Sequence, residues 1–240
     1  MCEQFVARAA SPFRIDDLWP FTERLERYGL AGFGWGATWL TADHRLCSHR
    51  DIRAFRDDEE GRASVGGQES TAVLVHLRRP SRLSTLHLPD TQPFDDPAGR
   101  FSFSHNGDLR DWRSARKAYL AQGRIHGRAD TEVGARWLED AWDGDRGGPL
   151  ALLPKLHERF GGNANLGVLT PAGTSVHYAG NADNPLFSFR IGDIGIVSTG
   201  IHSHDRSVFR YVVPEATERR LVRQGTTISL DRNGNALATS

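Results

Sequence analysis

The chain opens Met1-Cys2-Glu3-Gln4-Phe5-Val6-Ala7-Arg8-Ala9, and the reading of its second residue decides the rest. If the initiator is removed, Cys2 carries a thiol and a free α-amine on one residue. The thiol can be a nucleophile and the amine its base, as in other N-terminal nucleophiles. Reference pKa values of about 8.5 for the thiol and about 7.7–8.0 for the amine place both near neutrality. Residues 4–9 read as a short strand that begins just behind the nucleophile. Taken alone, a cysteine in this position reads as an inert structural residue.

Three later stretches bear on that choice: His76-Leu77-Arg78-Arg79-Pro80-Ser81, Ser104-His105-Asn106-Gly107-Asp108-Leu109 and Ala129-Asp130-Thr131-Glu132. With Met1-Cys2 they resemble, in order and rough spacing, the class II glutamine amidotransferases of the N-terminal-nucleophile hydrolases, in their small single-domain form. The motifs cover residues 1–132, and the remainder matches in strand content. The resemblance implies one glutamine amidotransferase type 2 domain over residues 1–240. Its fold class would be α+β, a four-layer αββα sandwich of two mainly antiparallel sheets flanked by helices.

The resemblance also implies roles. Cys2 would attack the γ-amide of glutamine or of a γ-glutamyl metabolite and form a γ-glutamyl thioester. Hydrolysis would then release glutamate and ammonia or an amine. Asn106 would offer its side-chain NH₂ to the oxyanion, and Gly107 its backbone N–H, with a side chain at Gly107 crowding the substrate. Arg78 would take the substrate α-carboxylate through its two-pronged guanidinium. Asp130 would accept from the α-ammonium, and Ser81 would keep a hydroxyl in the outer pocket. Without the motif, Arg78 reads as an ordinary surface arginine, Asn-Gly as a hairpin turn and Asp130 as a helix N-cap. Two departures fall on the outer pocket. Arg79-Pro80-Ser81 follows Arg78 where the family often reads x-Ala-Thr, and Gln92-Pro93-Phe94 stands where small members have His-Pro-Phe.

Composition bounds the function. The 240 residues suffice for one large domain or two small ones, and 38% hydrophobic content supports a sizeable core. Basic and acidic residues balance at 30 each, with acids interleaved among the arginines, so no nucleic-acid or membrane partner is implied. The two cysteines, Cys2 and Cys47, are too few for a secreted disulfide scaffold. No signal peptide or apolar membrane span is expected, which points to a cytoplasmic protein. No cofactor and no metal site are implied. Cys47-Ser48-His49 and His202-Ser203-His204-Asp205 lack a structural zinc spacing and read as surface-loop histidines. His105 reads as a packed strand histidine.

Along the chain, residues 16–28 read as a helix, capped by Asp16 or Asp17 and ended by Gly29. Residues 32–40 read as a glycine-bearing strand and 57–70 as a polar surface loop. Residues 71–78 form an apolar buried strand with Arg78 at its end. Residues 82–96 are irregular, and 100–105 alternate as a strand closed by Asn106-Gly107. A helix over 109–122 follows, so this strand–Asn-Gly–helix junction could present N–H groups to an anion. Helices are expected over 130–142 and 149–160. Strands are expected over 165–170, 175–178, 186–190, 194–198 and 227–230.

The sequence thus supports a cysteine-dependent amidohydrolase whose partner is glutamine or a γ-glutamyl small molecule. Two alternatives accompany it: a glutaminase subunit feeding ammonia to a separate synthase, and a catalytically silent ligand-binding module of the same fold. Self-association is compatible with either.

Overall fold

A computed structural model describes residues 2–81, 83–142 and 148–239. Thirteen strands and six α-helices are found among them. In chain order they are β1 (Glu3–Arg14), α1 (Trp19–Gly29), β2 (Trp35–Leu40), β3 (Leu46–Asp51), α2 (Glu59–Gly66), β4 (Glu69–Leu77), β5 (Phe94–Asp95), β6 (Ser102–Leu109), α3 (Arg113–Ala121) and α4 (Asp130–Ala141). Then come α5 (Gly148–Phe160), β7 (Gly162–Leu169), β8 (Ser175–Gly180), β9 (Leu186–Ile191), β10 (Ile194–Thr199), α6 (Arg206–Val212), β11 (Thr217–Leu221), β12 (Thr227–Leu230) and β13 (Ala236–Thr239). Seven strands form one sheet in the order β11-β9-β10-β1-β4-β2-β3, and six form the other in the order β13-β12-β8-β7-β6-β5.

Period-two alternation sends successive side chains to opposite faces and builds the layers. On β1 and β4, Phe5, Ala7, Val73 and Val75 face α1, α2 and α6 in one buried cluster. Val6, Ala72 and Leu74 face the other way, packing with Val197, Leu169 and Ile228 between the sheets. On the second sheet, Phe103, Leu166, Val168 and Val176 face α4 and α5. The order is therefore helices, sheet, sheet, helices, the αββα sandwich that the resemblance implies.

Toward one end the interior turns polar. Gln4, on the same face of β1 as Val6, accepts from Ser104 Oγ at 2.5 Å and donates to Asn165 O at 3.1 Å. Its Nε2 lies 2.7 Å from His177 Nε2. His177 Nδ1 faces Val197 O at 3.3 Å. Nδ1 is thus the donor and Nε2 accepts from Gln4. The polar groups are buried but bonded, the condition for tolerating them there.

Several expectations are corrected. Residues 57–70 are not a surface loop: Asp58 caps α2 by accepting from Gly61 N at 3.1 Å, and it is fully buried. It also accepts from Trp35 Nε1 at 3.0 Å, which draws the acidic stretch inward. Residues Ile15–Leu18 form a separate 3-10 turn before α1. Neither Asp16 nor Asp17 caps α1, and Asp16 is bonded to Arg14 instead. The left-handed residue that ends α1 is Leu30, at φ 55°. Gly29 is a close approach, since a Cβ there would lie 2.3 Å from the Glu3 side chain. Asn106-Gly107 does not end its strand. β6 continues to Leu109 because residues 106–109 pair with residues 162–165 of β7. The proposed strand–Asn-Gly–helix junction is therefore absent, and α3 starts only at Arg113. Within 82–96 lie two 3-10 turns, Leu83–Thr85 and Leu88–Asp90, and β5; Arg82 itself is outside the described residues. None of the described helices is long and apolar enough to cross a membrane.

Candidate active site

At the polar end of the sandwich, Cys2, Arg78, Ser81, Gly107 and Asp130 line one cleft of about 480 Å³. Asn106 lies beneath it, fully buried. The six candidate residues, scattered between positions 2 and 130, meet because β1 begins and β4 ends at this edge, β6 runs past it and α4 begins there. Met1 lies outside the described residues.

Cys2 is held at the entrance to β1. Its Sγ accepts from Arg79 N at 3.3 Å and lies 3.5 Å from Arg79 O. Burial pushes the thiol up from its ordinary value, and the Arg79 N–H and the Arg78 charge pull it partly back. A thiol in this state needs a base to ionise near neutrality. Both cysteines are free thiols.

Asn106 is oriented by three other asparagines. Its Oδ1 accepts from Asn165 Nδ2 at 3.2 Å, Asn181 Nδ2 at 3.3 Å and Asn184 Nδ2 at 3.4 Å. With its oxygen so occupied, its NH₂ must face the other way, where it donates to Cys2 O. One N–H is used there and the second remains for a further acceptor. Asn165, Asn181 and Asn184 were not singled out as site residues from the sequence. The Asn181-Ala182-Asp183-Asn184-Pro185 run reads as a turn, and asparagine richness beyond turn needs was the only signal.

Gly107 has φ +136°, and a Cβ there would stand 1.8 Å from Asn163 O. Its requirement for glycine therefore comes from the β6–β7 pairing, not from the cleft side as anticipated. Arg78 continues β4, with its N donating to Gly34 O at 2.8 Å and its O accepting from Phe33 N at 3.0 Å. Its side chain is buried, Nη2 donates to Thr85 O, and Nη1 is buried with no hydrogen-bond partner among the described residues. Burial pushes its pKa down, opposed by Cys2 and Asp90. It is not the ordinary surface arginine of the bland reading.

Asp130 is not the N-cap of α4, a position held by Ala129. Its Oδ2 accepts from Leu109 N at 2.7 Å and its Oδ1 from Thr131 N at 3.0 Å, tying the start of α4 to the end of β6. Asp90, unmarked in the sequence, also lines the cleft. Its Oδ1 accepts from Arg128 N at 2.5 Å and Ala129 N at 2.7 Å, while its buried Oδ2 has no partner. The cleft wall thus offers a vacant cationic donor and a vacant anionic acceptor. Gln92 bridges to β6 by accepting from His105 N at 2.6 Å and donating to His105 O at 3.0 Å. His105 is a buried strand residue, as read, with Nδ1 3.0 Å from Thr131 Oγ1 and its pKa pushed down by burial.

Glu3 is fully buried one residue from Cys2. Burial raises its carboxyl to about 7 despite bonds from Thr199, Asn184 and Ile201 N. His202 Nε2 lies 3.5 Å away. His202 is in a turn, as expected, but it reaches into this cradle. His49, read as a loop residue, lies on β3 with its ring 4.8 Å from that of Trp35. His49, Asp51 and Asp58 bring their ligand atoms within 4.8 Å of one another. Arg53 already sits against both carboxylates there, at 2.8 Å and 2.6 Å.

No protein-family model and no curated protein matches the sequence. Solved structures do. An allosteric regulatory enzyme of purine biosynthesis aligns with TM-score 0.75 and 16% identity over 99% of this chain and 48% of its own. The glutamine phosphoribosylpyrophosphate amidotransferase of B. subtilis aligns with TM-score 0.75 and 17% identity over 99% of this chain and 49% of its own. The chain thus spans about half the length of these two enzymes. A glutamine aminotransferase class-II domain protein from Silicibacter pomeroyi aligns with TM-score 0.60 and 16% identity over 98% of both chains. The protein therefore has the N-terminal-nucleophile hydrolase fold. It carries that fold in the form found in class II glutamine amidotransferase domains.

Proposed function

We propose that the cleft is the active site of a cysteine-dependent amidohydrolase acting on a γ-glutamyl amide. The observation that carries this reading is the convergence of Cys2 Sγ, the oriented Asn106 amide and the vacant Arg78 Nη1 at one cleft. After removal of Met1, the Cys2 α-amine takes the thiol proton as Sγ attacks the amide carbonyl. The free N–H of Asn106 and the N–H of Gly107 receive the oxyanion. The C–N bond breaks, the amine returns the proton to the departing nitrogen, and a γ-glutamyl thioester remains. Water, activated by the same amine, cleaves the thioester to glutamate and free thiol.

Arg78 takes the α-carboxylate, and Asp130 with the Asp90 oxygen takes the α-ammonium. Ser81 lies on the exposed rim beside the substrate. The size and lining of the cleft favour a substrate larger than glutamine. About 480 Å³ lies in the range that encloses a drug-sized ligand. Trp112, Arg113 and Arg128 extend the wall past the zwitterion site.

Glutamate release from glutamine and from larger γ-glutamyl amides, with Cys2→Ala as the control, tests the reading. Better turnover of the larger compounds supports it. Turnover of glutamine that rises only on adding a synthase would move the protein to the ammonia-supplying role. No release from any of them by folded, Met1-free protein would leave only a ligand-binding module.

A further inference from the structure

Glu3 is more heavily built around than a carboxylate placed only for packing. Gly29 leaves room for its side chain, since a Cβ there would meet the Glu3 Cγ at 2.3 Å. Thr199 Oγ1 donates to Oε2, while accepting from Gln4 N at 3.0 Å. The turn after β10 places Ile201 and His202 at φ 51° and 58°, a conformation rare for non-glycine residues. That turn brings the Ile201 N–H and the His202 ring to the carboxylate. Two consecutive left-handed residues are retained where surrounding contacts over-determine them, often at functional sites.

A chain of fixed amide orientations leads from this cradle to the nucleophile. Asn184 Oδ1 accepts from Gly200 N at 3.1 Å and His202 N at 2.9 Å, so the amide cannot flip. Its NH₂ must therefore face Glu3 at 3.2 and 3.3 Å, His202 Nε2 at 3.3 Å, Cys2 O at 3.4 Å and Asn106 Oδ1 at 3.4 Å. Two hydrogens are divided among these acceptors. An ionised Glu3 forms the strongest of the bonds and holds the amide toward itself. Loss of its charge releases the hydrogens toward Cys2 O and Asn106 Oδ1.

We propose that Glu3 is a positioning residue that acts through Asn184 on the Asn106 amide and the Cys2 carbonyl, so that its charge sets the geometry of the oxyanion site. The inference rests on the amidohydrolase reading for its consequence in rate, but not for the coupling itself. The ionisable groups facing the carboxylate are His202, the Cys2 thiol and, once Met1 is removed, the Cys2 amine. The rest of its cradle, Gly29, Leu77, Asn184, Thr199 and the Ile201 N–H, is uncharged.

The test is a pH titration of the Asn106 and Asn184 side-chain amide resonances in Met1-free protein, from about pH 5.5 to about pH 8.5, with kinetics of Glu3→Gln alongside. In wild type both amides shift with one midpoint near 7, the value to which burial raises Glu3. In Glu3→Gln that transition disappears. The variant keeps KM while kcat falls roughly ten- to a hundredfold, the equivalent of one charge-assisted hydrogen bond. In His202→Gln the transition persists. Flat amide resonances in wild type overturn the proposal, as does a transition that survives Glu3→Gln or vanishes in His202→Gln. If Glu3→Gln does not fold, the wild-type and His202→Gln titrations decide alone. Coupled amides in a protein without turnover would uphold the positioning role and sink the reaction assigned to the cleft.

Discussion

The space between the two sheets has two halves, and β1 crosses from one to the other within two residues. Val6 packs among Leu74, Val197 and Ile228, an aliphatic interior whose contacts are dispersion and exclusion of water. Gln4 points to the same face and meets Ser104, Asn165 and His177 through directed hydrogen bonds. The aliphatic half holds the layers together and tolerates changes of shape. The polar half fixes orientations, and each of its amides is set by the next. On the proposed function, stability and chemistry fall to neighbouring segments of the same strand, and substitutions should separate them.

The largest separation is expected at Asn106. Asn106→Ala should lower kcat of the folded protein about 10²–10³-fold, the cost of one oxyanion donor. It should also lower the melting temperature, because the amides of Asn165, Asn181 and Asn184 lose an acceptor. An unaltered kcat would remove Asn106 from the reaction. Leu74→Ala should do the converse. It should lower stability by about 2–5 kcal/mol in urea unfolding yet retain kcat wherever the protein is folded. Loss of turnover in folded Leu74→Ala would show that the halves are not separable.

Arg78→Lys probes the border between them. Lysine keeps the charge but loses the planar fork, so KM should rise roughly tenfold or more, with kcat less affected. A KM unchanged in steady-state kinetics would place the substrate carboxylate elsewhere.

The smallest effect is on the pH dependence of stability. Burial lowers His177 to about 4, and it lowers His76 and His105 too. The unfolded chain, with histidine near about 6.5, then binds protons first, so stability falls as pH drops from about 6.5 toward 4. Glu3 acts in the opposite sense. Raised to about 7, it holds its proton in the folded state where the unfolded chain has lost it, so its contribution falls as pH rises from about 4.3. Wild type should therefore lose urea resistance on acidification, and Glu3→Gln should lose it more steeply, by up to about 1.4 kcal/mol for each pH unit. Equal slopes in the two proteins would mean that folding does not raise the Glu3 carboxyl.

The sequence was most legible where alternation is buried on both sides. β4 reads as an apolar run and β12 has the bounds read from the sequence, because all their residues but Glu69, Thr71 and Ser229 are buried. It was least legible at edges. β3 carries Cys47, Ser48, His49 and Arg50, and β11 carries Glu218, Arg219 and Arg220, with neither face fully covered. Polar edge strands of this kind look like loops. β13 and α6 were missed as well, one exposed throughout and the other seven residues long. Of the residues at the cleft, Cys2, Arg78, Ser81, Asn106, Gly107 and Asp130 stand out in the sequence because each sits in a local motif. Asp90, Glu3 and Asn184 were not, since their meaning lies in contacts made across the fold. Asn184 meets Glu3 across 181 positions of chain.

The most direct test of the account is the intact mass of purified protein before and after treatment with 6-diazo-5-oxo-norleucine, with the adduct mapped by peptide sequencing. The account predicts loss of Met1 and one adduct, on the Cys2 thiol, absent from Cys2→Ala and slowed in Arg78→Lys. A folded protein that has lost Met1 yet gains no adduct, or gains it on Cys47, would contradict the assignment of Cys2 as the nucleophile.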